Sequence, residues 1–122
     1  MAKPRVGVIF SAMLPEIPTW PYIGYDYERR AKELSRRLRE ELPGVELVEA
    51  IIHNAKEVEE KLRDMGEVVG YAVFILGIWS GIPWAVVQRK RPTVLIDDLY
   101  AGSGEFLQAL AMARRKGYPV VG

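Results

Sequence analysis

Near its carboxyl end the chain reads Ile96-Asp97-Asp98-Leu99-Tyr100-Ala101-Gly102-Ser103-Gly104-Glu105. Adjacent carboxylates running into a Gly-Ser-Gly turn can ligate a cation, flank a helix start that holds an anion, or fix the turn by accepting its N–H groups. An anion fares badly, because Asp97, Asp98 and Glu105 together repel phosphate. The segment also lacks the phosphate-loop pattern. Its Gly-x-Gly neither follows the first strand nor has the third glycine of a dinucleotide site. A cation could use one aspartate, but the other ligands are missing. The expectation is that one aspartate side chain accepts N–H bonds from the turn. Asp97, Asp98, Tyr100, Gly102, Ser103 and Gly104 stand as the candidate turn for an anion or other small ligand, with Gly102 and Gly104 supplying backbone freedom.

Other chemistry-bearing residues are sparse. His53 is the only histidine, set between an apolar run and Asn54. A lone histidine there is expected to be hydrogen-bonded rather than to bind a metal. Ser11, Ser80 and Ser103 have that single histidine as a possible base, and none lies in a nucleophile-elbow sequence. A phospho-receiver domain would want acids at the end of the first strand, where Ser11 stands. The absence of cysteine excludes a thiolate nucleophile, thiolate metal ligands and a disulfide framework. No complete catalytic set is expected in this chain.

These residues need elements to hold them. Val6 to Phe10 is a short, almost continuous apolar run, as a strand buried on both faces reads. Pro15, Pro18 and Pro21 then block regular structure. Asp26 is expected to cap a helix with Tyr27, Ala31, Leu34, Leu38 and Leu42 on one face, stopped by Pro43-Gly44. Val45 to Ile52 reads as a second strand. Asn54 then caps a helix with Ala55, Val58, Leu62 and Met65 inward, ended by Gly66. Tyr71 to Leu76 is the third strand, Pro83 opens a short helix, and Thr93 to Ile96 is the fourth strand. Ser103 to Lys116 reads as a helix with Phe106, Leu107, Leu110 and Ala113 inward, and Tyr118 to Val121 as a fifth strand. Strand and helix alternate throughout, so the expected fold is α/β: a three-layer, doubly wound, parallel five-stranded sheet, flavodoxin-like or Rossmann-like, with order 2-1-3-4-5 preferred.

In such sheets ligands bind beyond the carboxyl ends of the strands. Those ends are Ser11 to Leu14, His53-Asn54, Gly77 to Gly81 and Asp97 to Gly104. The three tryptophans, Trp20, Trp79 and Trp84, lie in or just after these loops. Trp79, followed by Ser80-Gly81, is expected to contact a ligand or partner, because an indole plane suits a sugar's C–H face or a subunit interface. Trp84 opens a helix and could equally close the core. The stretch from Ser11 to Tyr25 is longer than most βα loops, which points to binding.

Bulk composition bounds the rest. A chain of 122 residues suits one domain, and 49% hydrophobic against 27% charged residues gives it both a core and a polar surface. A net charge of +1 provides no basic field for nucleic acid or an anionic membrane. Lys3, Pro4 and Arg5 interrupt any secretory signal, and the longest apolar run, Tyr71 to Trp79, is too short to span a bilayer. The expected location is cytoplasmic.

Three segments, VGVIFSAMLPE, YAVFILGIWSGIPWAVV and PTVLIDDLYAGSGEFL, resemble the amino-terminal region of the L-fucose/L-arabinose isomerase family, nearest the archaeal and thermophilic fucose-isomerase-like proteins. The resemblance runs through essentially the whole chain, and DDLYAGSGEFL is its most specific part. It implies a flavodoxin-like first domain of a longer subunit, followed by two further domains. It also implies aldose–ketose interconversion through an enediol on a divalent metal, usually manganese, with metal ligands and acid/base carboxylates in the later domains. Assembly as a trimeric or hexameric ring would bring this domain's loops to a neighbour's active site. By position Met13, Leu14 and Trp79 would touch the sugar there. The proline-rich first loop replaces a glutamine-rich one in arabinose isomerases.

The sequence-level expectation is thus an assembly and sugar-recognition domain, not catalytic alone and needing no cofactor in this chain. The missing helix after the fifth strand fits a first domain of a longer protein. The contrasting expectation is a free-standing flavodoxin-like module binding a small anionic or nucleotide ligand at the Asp97–Gly104 turn.

Overall fold

The computed structural model describes residues 3–14, 24–77, 80–98 and 102–122. The first apolar run forms β1 (Arg5–Ser11), buried from Gly7 onward. It lies between β2 (Glu46–Ile52) and β3 (Gly70–Ile75), and β4 (Thr93–Asp97) and β5 (Val120–Val121) extend the sheet beyond β3. All four pairings are parallel, and the order is β2-β1-β3-β4-β5, the flavodoxin-like arrangement expected. Every residue of β3 is buried, which is why Tyr71 to Leu76 reads without polar alternation. The strands finish nearly flush. Ser11 pairs with both Ile52 and Ile75, and Ile75 with Asp97, so four connections start from one rim.

The helices divide unequally between the faces. α2 (Val58–Met65), α3 (Ile82–Val87) and α4 (Ser103–Arg115) pack on one face, over Ile9, Ile52, Val73, Ile75 and Leu95. α1 (Tyr27–Glu41) packs on the other, placing Tyr27, Ala31 and Leu34 over Val8, Phe10, Ala72 and Phe74. The Phe10 and Phe74 rings stack there at 5.4 Å. Beyond them Val94 and Ile96 of β4 are half-buried, and Val121 of β5 is 60% exposed. Among the described residues no helix is long and apolar enough to cross a membrane.

Local signals set most boundaries. The Asp26 side chain accepts the Arg29 N–H at 3.1 Å and caps α1 as expected. Asn54 caps at the expected place, but the turn it starts is a single 3₁₀ turn, Ala55–Glu57, that leads into α2. Ala55 is therefore exposed rather than inward. Pro83 occupies the first turn of α3, one residue after its start. α4 ends in a Schellman motif, with Gly117 at φ 73° and the Tyr118 N–H donating to the Ala113 carbonyl. That turn absorbs Tyr118 and leaves β5 shorter than the apolar pattern suggests.

Within α4 the expected inward set needs correction. Leu110 and Ala113 are buried and Phe106 packs against the core, but Leu107 is 62% exposed. Glu105 and Ala109 are buried in its stead. The helix turns the Glu105 carboxylate inward, and the reason lies at the rim.

Candidate binding rim at the carboxyl ends of the strands

The strand order reverses between β1 and β3, and a cleft at such a switch point is where open α/β sheets hold ligands. Here side chains tie the two strand ends together. Ser11 Oγ, fully buried, lies 3.0 Å from Ser80 Oγ in the β3–α3 connection. Ser80 Oγ donates to Glu105 Oε1 at 3.1 Å, and the Gly81 N–H donates to Glu105 Oε2 at 2.8 Å. An ionised carboxylate only accepts, so Ser80's single proton goes to Glu105. Ser80's lone pairs then take the Ile82 N–H, at 3.2 Å, and the Ser11 hydroxyl proton. One buried carboxylate from α4 thus fixes the direction of a three-residue chain that ends on β1. Gly81, at φ 76°, makes the turn into α3 that this requires.

The acidic pair divides its labour. Asp97 Oδ1 accepts the Gly102 N–H at 3.1 Å, and Asp97 Oδ2 accepts the Ser103 hydroxyl. This is the expected turn bond, now assigned to Asp97. Asp98 turns to the opposite face, where both its oxygens receive Arg30 of α1, at 2.7 and 2.9 Å. This bidentate pair holds the guanidinium pKa above its usual range, against the opposing cost of burial. Gly102 is needed for a different reason than expected. Its φ is −133°, which any residue adopts, but a Cβ there would sit 2.1 Å from Ile75 Cγ2. Close packing on β3 requires the glycine, and Gly104 lies inside α4.

No protein-family model, curated protein or solved structure matches this chain.

Of the residues expected to touch a sugar, Met13 is half-buried against Gly77, and Leu14 is 36% exposed. Both stand at the end of β1, on the rim. Trp79, Tyr100 and Trp20 lie outside the described residues. Trp84 is half-buried and packs against the three-helix core, which resolves its two readings in favour of packing. His53 is hydrogen-bonded as expected. Its Nδ1 donates to the Ala12 carbonyl at 2.9 Å, since a carbonyl can only accept. Its Nε2 faces the Tyr27 hydroxyl at 3.4 Å, the two rings meeting edge to face at 5.1 Å.

The described groups do not fit a metal ion. Among the described residues no three His, Asp or Glu side chains gather where they could share a cation. Both oxygens of Asp97, Asp98 and Glu105 already accept protein donors. Among the described residues, too, no buried side-chain nitrogen or oxygen lacks a partner. Sequence reasoning missed Arg30, Tyr27 and Glu105 as rim-organising residues. Arg30 is one of several arginines on α1, and only the fold, across 68 positions, singles it out for Asp98. An acid in the first helical turn is commonplace, so Glu105 carried no signal of burial.

Proposed function

We propose that this chain is the assembly and substrate-recognition domain of a metal-dependent aldose–ketose isomerase-like protein of the L-fucose/L-arabinose type. It supplies one wall of a sugar pocket rather than the reacting groups. The observation that carries the reading is the state of the rim carboxylates. Asp97, Asp98 and Glu105 are each bonded through both oxygens to the protein's own donors, so they shape the rim and are not free to shuttle protons. Met13 and Leu14 offer apolar contact beside them, and Trp79 follows in the next connection. The divalent metal, manganese in the family, and the acid/base groups belong to other domains of the assembled protein. The half-covered side of β4 and β5 supports a role in assembly as a trimer or hexamer.

The nucleotide or anion reading is weaker at its own site. The Gly102 N–H that would greet an anion already binds Asp97, and two more carboxylates stand within the same turn region. Titration of the isotope-labelled chain with L-fucose, L-arabinose, AMP and FMN, followed by NMR, tests both. Saturable shifts at Met13, Leu14 and Trp79 with a sugar support the proposal. Shifts confined to Asp97–Gly104 with AMP or FMN, and none with sugars, would replace it with the anion-binding module.

A further inference from the structure

We propose that Glu105 is a positioning residue of the rim, acting as a clamp that sets the β3–α3 connection relative to the end of β1. The inference rests on the sugar-recognition reading of that rim and adds which group determines its shape. Glu105 is 7% exposed, and a buried carboxylate persists only where donors compensate its lost hydration. Its donors are not on its own helix. They are the Ser80 hydroxyl and the Gly81 N–H, 25 and 24 positions earlier. Ser80 in turn holds the Ile82 N–H and receives Ser11, so removing one carboxylate leaves two donors of the β3–α3 connection unmatched and frees the hydroxyl that receives β1. The clamp also accounts for the phase of α4, in which Glu105 is turned inward and Leu107 outward. Among the described residues, Asp97 bonds its own turn and Asp98 bonds Arg30 on the opposite face. Of the three acids it is Glu105 that links the β3 and β4 connections to β1.

The chemistry separates this role from simple space filling. In Glu105→Gln the side-chain carbonyl can still accept the Gly81 N–H while its amide donates to Ser80. Ser80 then passes its proton to Ser11, reversing the chain without breaking it. Glu105→Leu fills the same space and accepts nothing. Amide hydrogen exchange on the 122-residue chain reads the difference. In Glu105→Leu the Gly81 and Ile82 amides are expected to exchange about tenfold faster or more, with β1 and β3 amides unchanged, whereas Glu105→Gln stays close to the parent. Equal protection in the Leu variant would overturn the clamp. Should that variant fail to fold, Ser80→Ala tests the same linkage. Ile82 is then expected to lose protection while Gly81 keeps it, and unchanged Ile82 protection would overturn the clamp. L-fucose titrations followed at Met13 and Leu14 complete the test. Weakened shifts in the Leu variant, rescued in the Gln variant, support the positioning role; equal shifts in both count against it. A parent chain that gives no sugar shifts removes the sugar reading instead, and the amide result still decides the clamp.

Discussion

The two faces of the sheet differ in how completely the chain closes them. On one, α2, α3 and α4 bury a continuous core in which Ile9, Ile52, Val73, Ile75, Ile82, Val86 and Val87 are wholly inaccessible. On the other, α1 is the one described helix, and burial falls from Val8 and Phe10 through Ile96 to Val121. Each fully buried Ile or Val contributes about 1.5–3 kcal/mol, so the three-helix face supplies most of the stability. The α1 face has another anchor. Arg30 reaches from α1 to Asp98 at the end of β4, an ion pair where the other face uses hydrocarbon. One face is held by the larger core and the other by a smaller core with a point contact added, and the two should fail differently.

The largest effect is expected from Ile75→Ala, which opens a cavity under three helices and costs about 2–5 kcal/mol in urea unfolding. Loss below about 1 kcal/mol would mean that this face can collapse around the gap. Next comes Arg30→Ala, which leaves Asp98, 8% exposed, without its partner and costs about 1.5–3 kcal/mol. Adding Asp98→Asn should recover part of that loss, and a double variant no more stable than the single one would argue against a partner-specific cost. Gly102→Ala drives a methyl into Ile75 and costs about 1–3 kcal/mol. Its added cost should be smaller in an Ile75→Ala background, which lacks the Cγ2 methyl that the new Cβ meets. The smallest effect belongs to Val121→Ser, within about 0.5 kcal/mol, because that side chain is already mostly in water. A large loss there would show that the β5 end contributes to the core after all.

The same division explains what could be read from the sequence. Elements defined by their own residues were legible: the uninterrupted apolar runs of β1 and β3, the Asp26 cap, the Pro43-Gly44 stop. The parallel sheet followed from the alternation of elements, whereas its order, preferred as 2-1-3-4-5, is fixed by the pairing of β1 with both β2 and β3. Features defined by distant partners were not. Phe106, Leu107, Leu110 and Ala113 allow more than one phase for α4, and the choice is made by donors at Ser80 and Gly81. Asp97 and Asp98 look equivalent as adjacent letters, yet strand geometry sends neighbouring side chains to opposite faces. One meets its own turn and the other meets α1. The short β5 was hidden because Tyr118, a good strand residue, is taken by the helix-ending turn.

His53 has a consequence of a different kind. β1 ends just before Ala12 and α1 begins at Tyr27, and one imidazole touches both residues, the first through Nδ1 and the second through Nε2. Both ends of the stretch between them are thus fastened to one hinge-plate whose screws are already tight. When the ends of a segment are held together independently, altering its length adds little to the entropy of closing it. On the proposed reading, the domain can exchange that segment, trading one sugar preference for another, without renegotiating the sheet beneath.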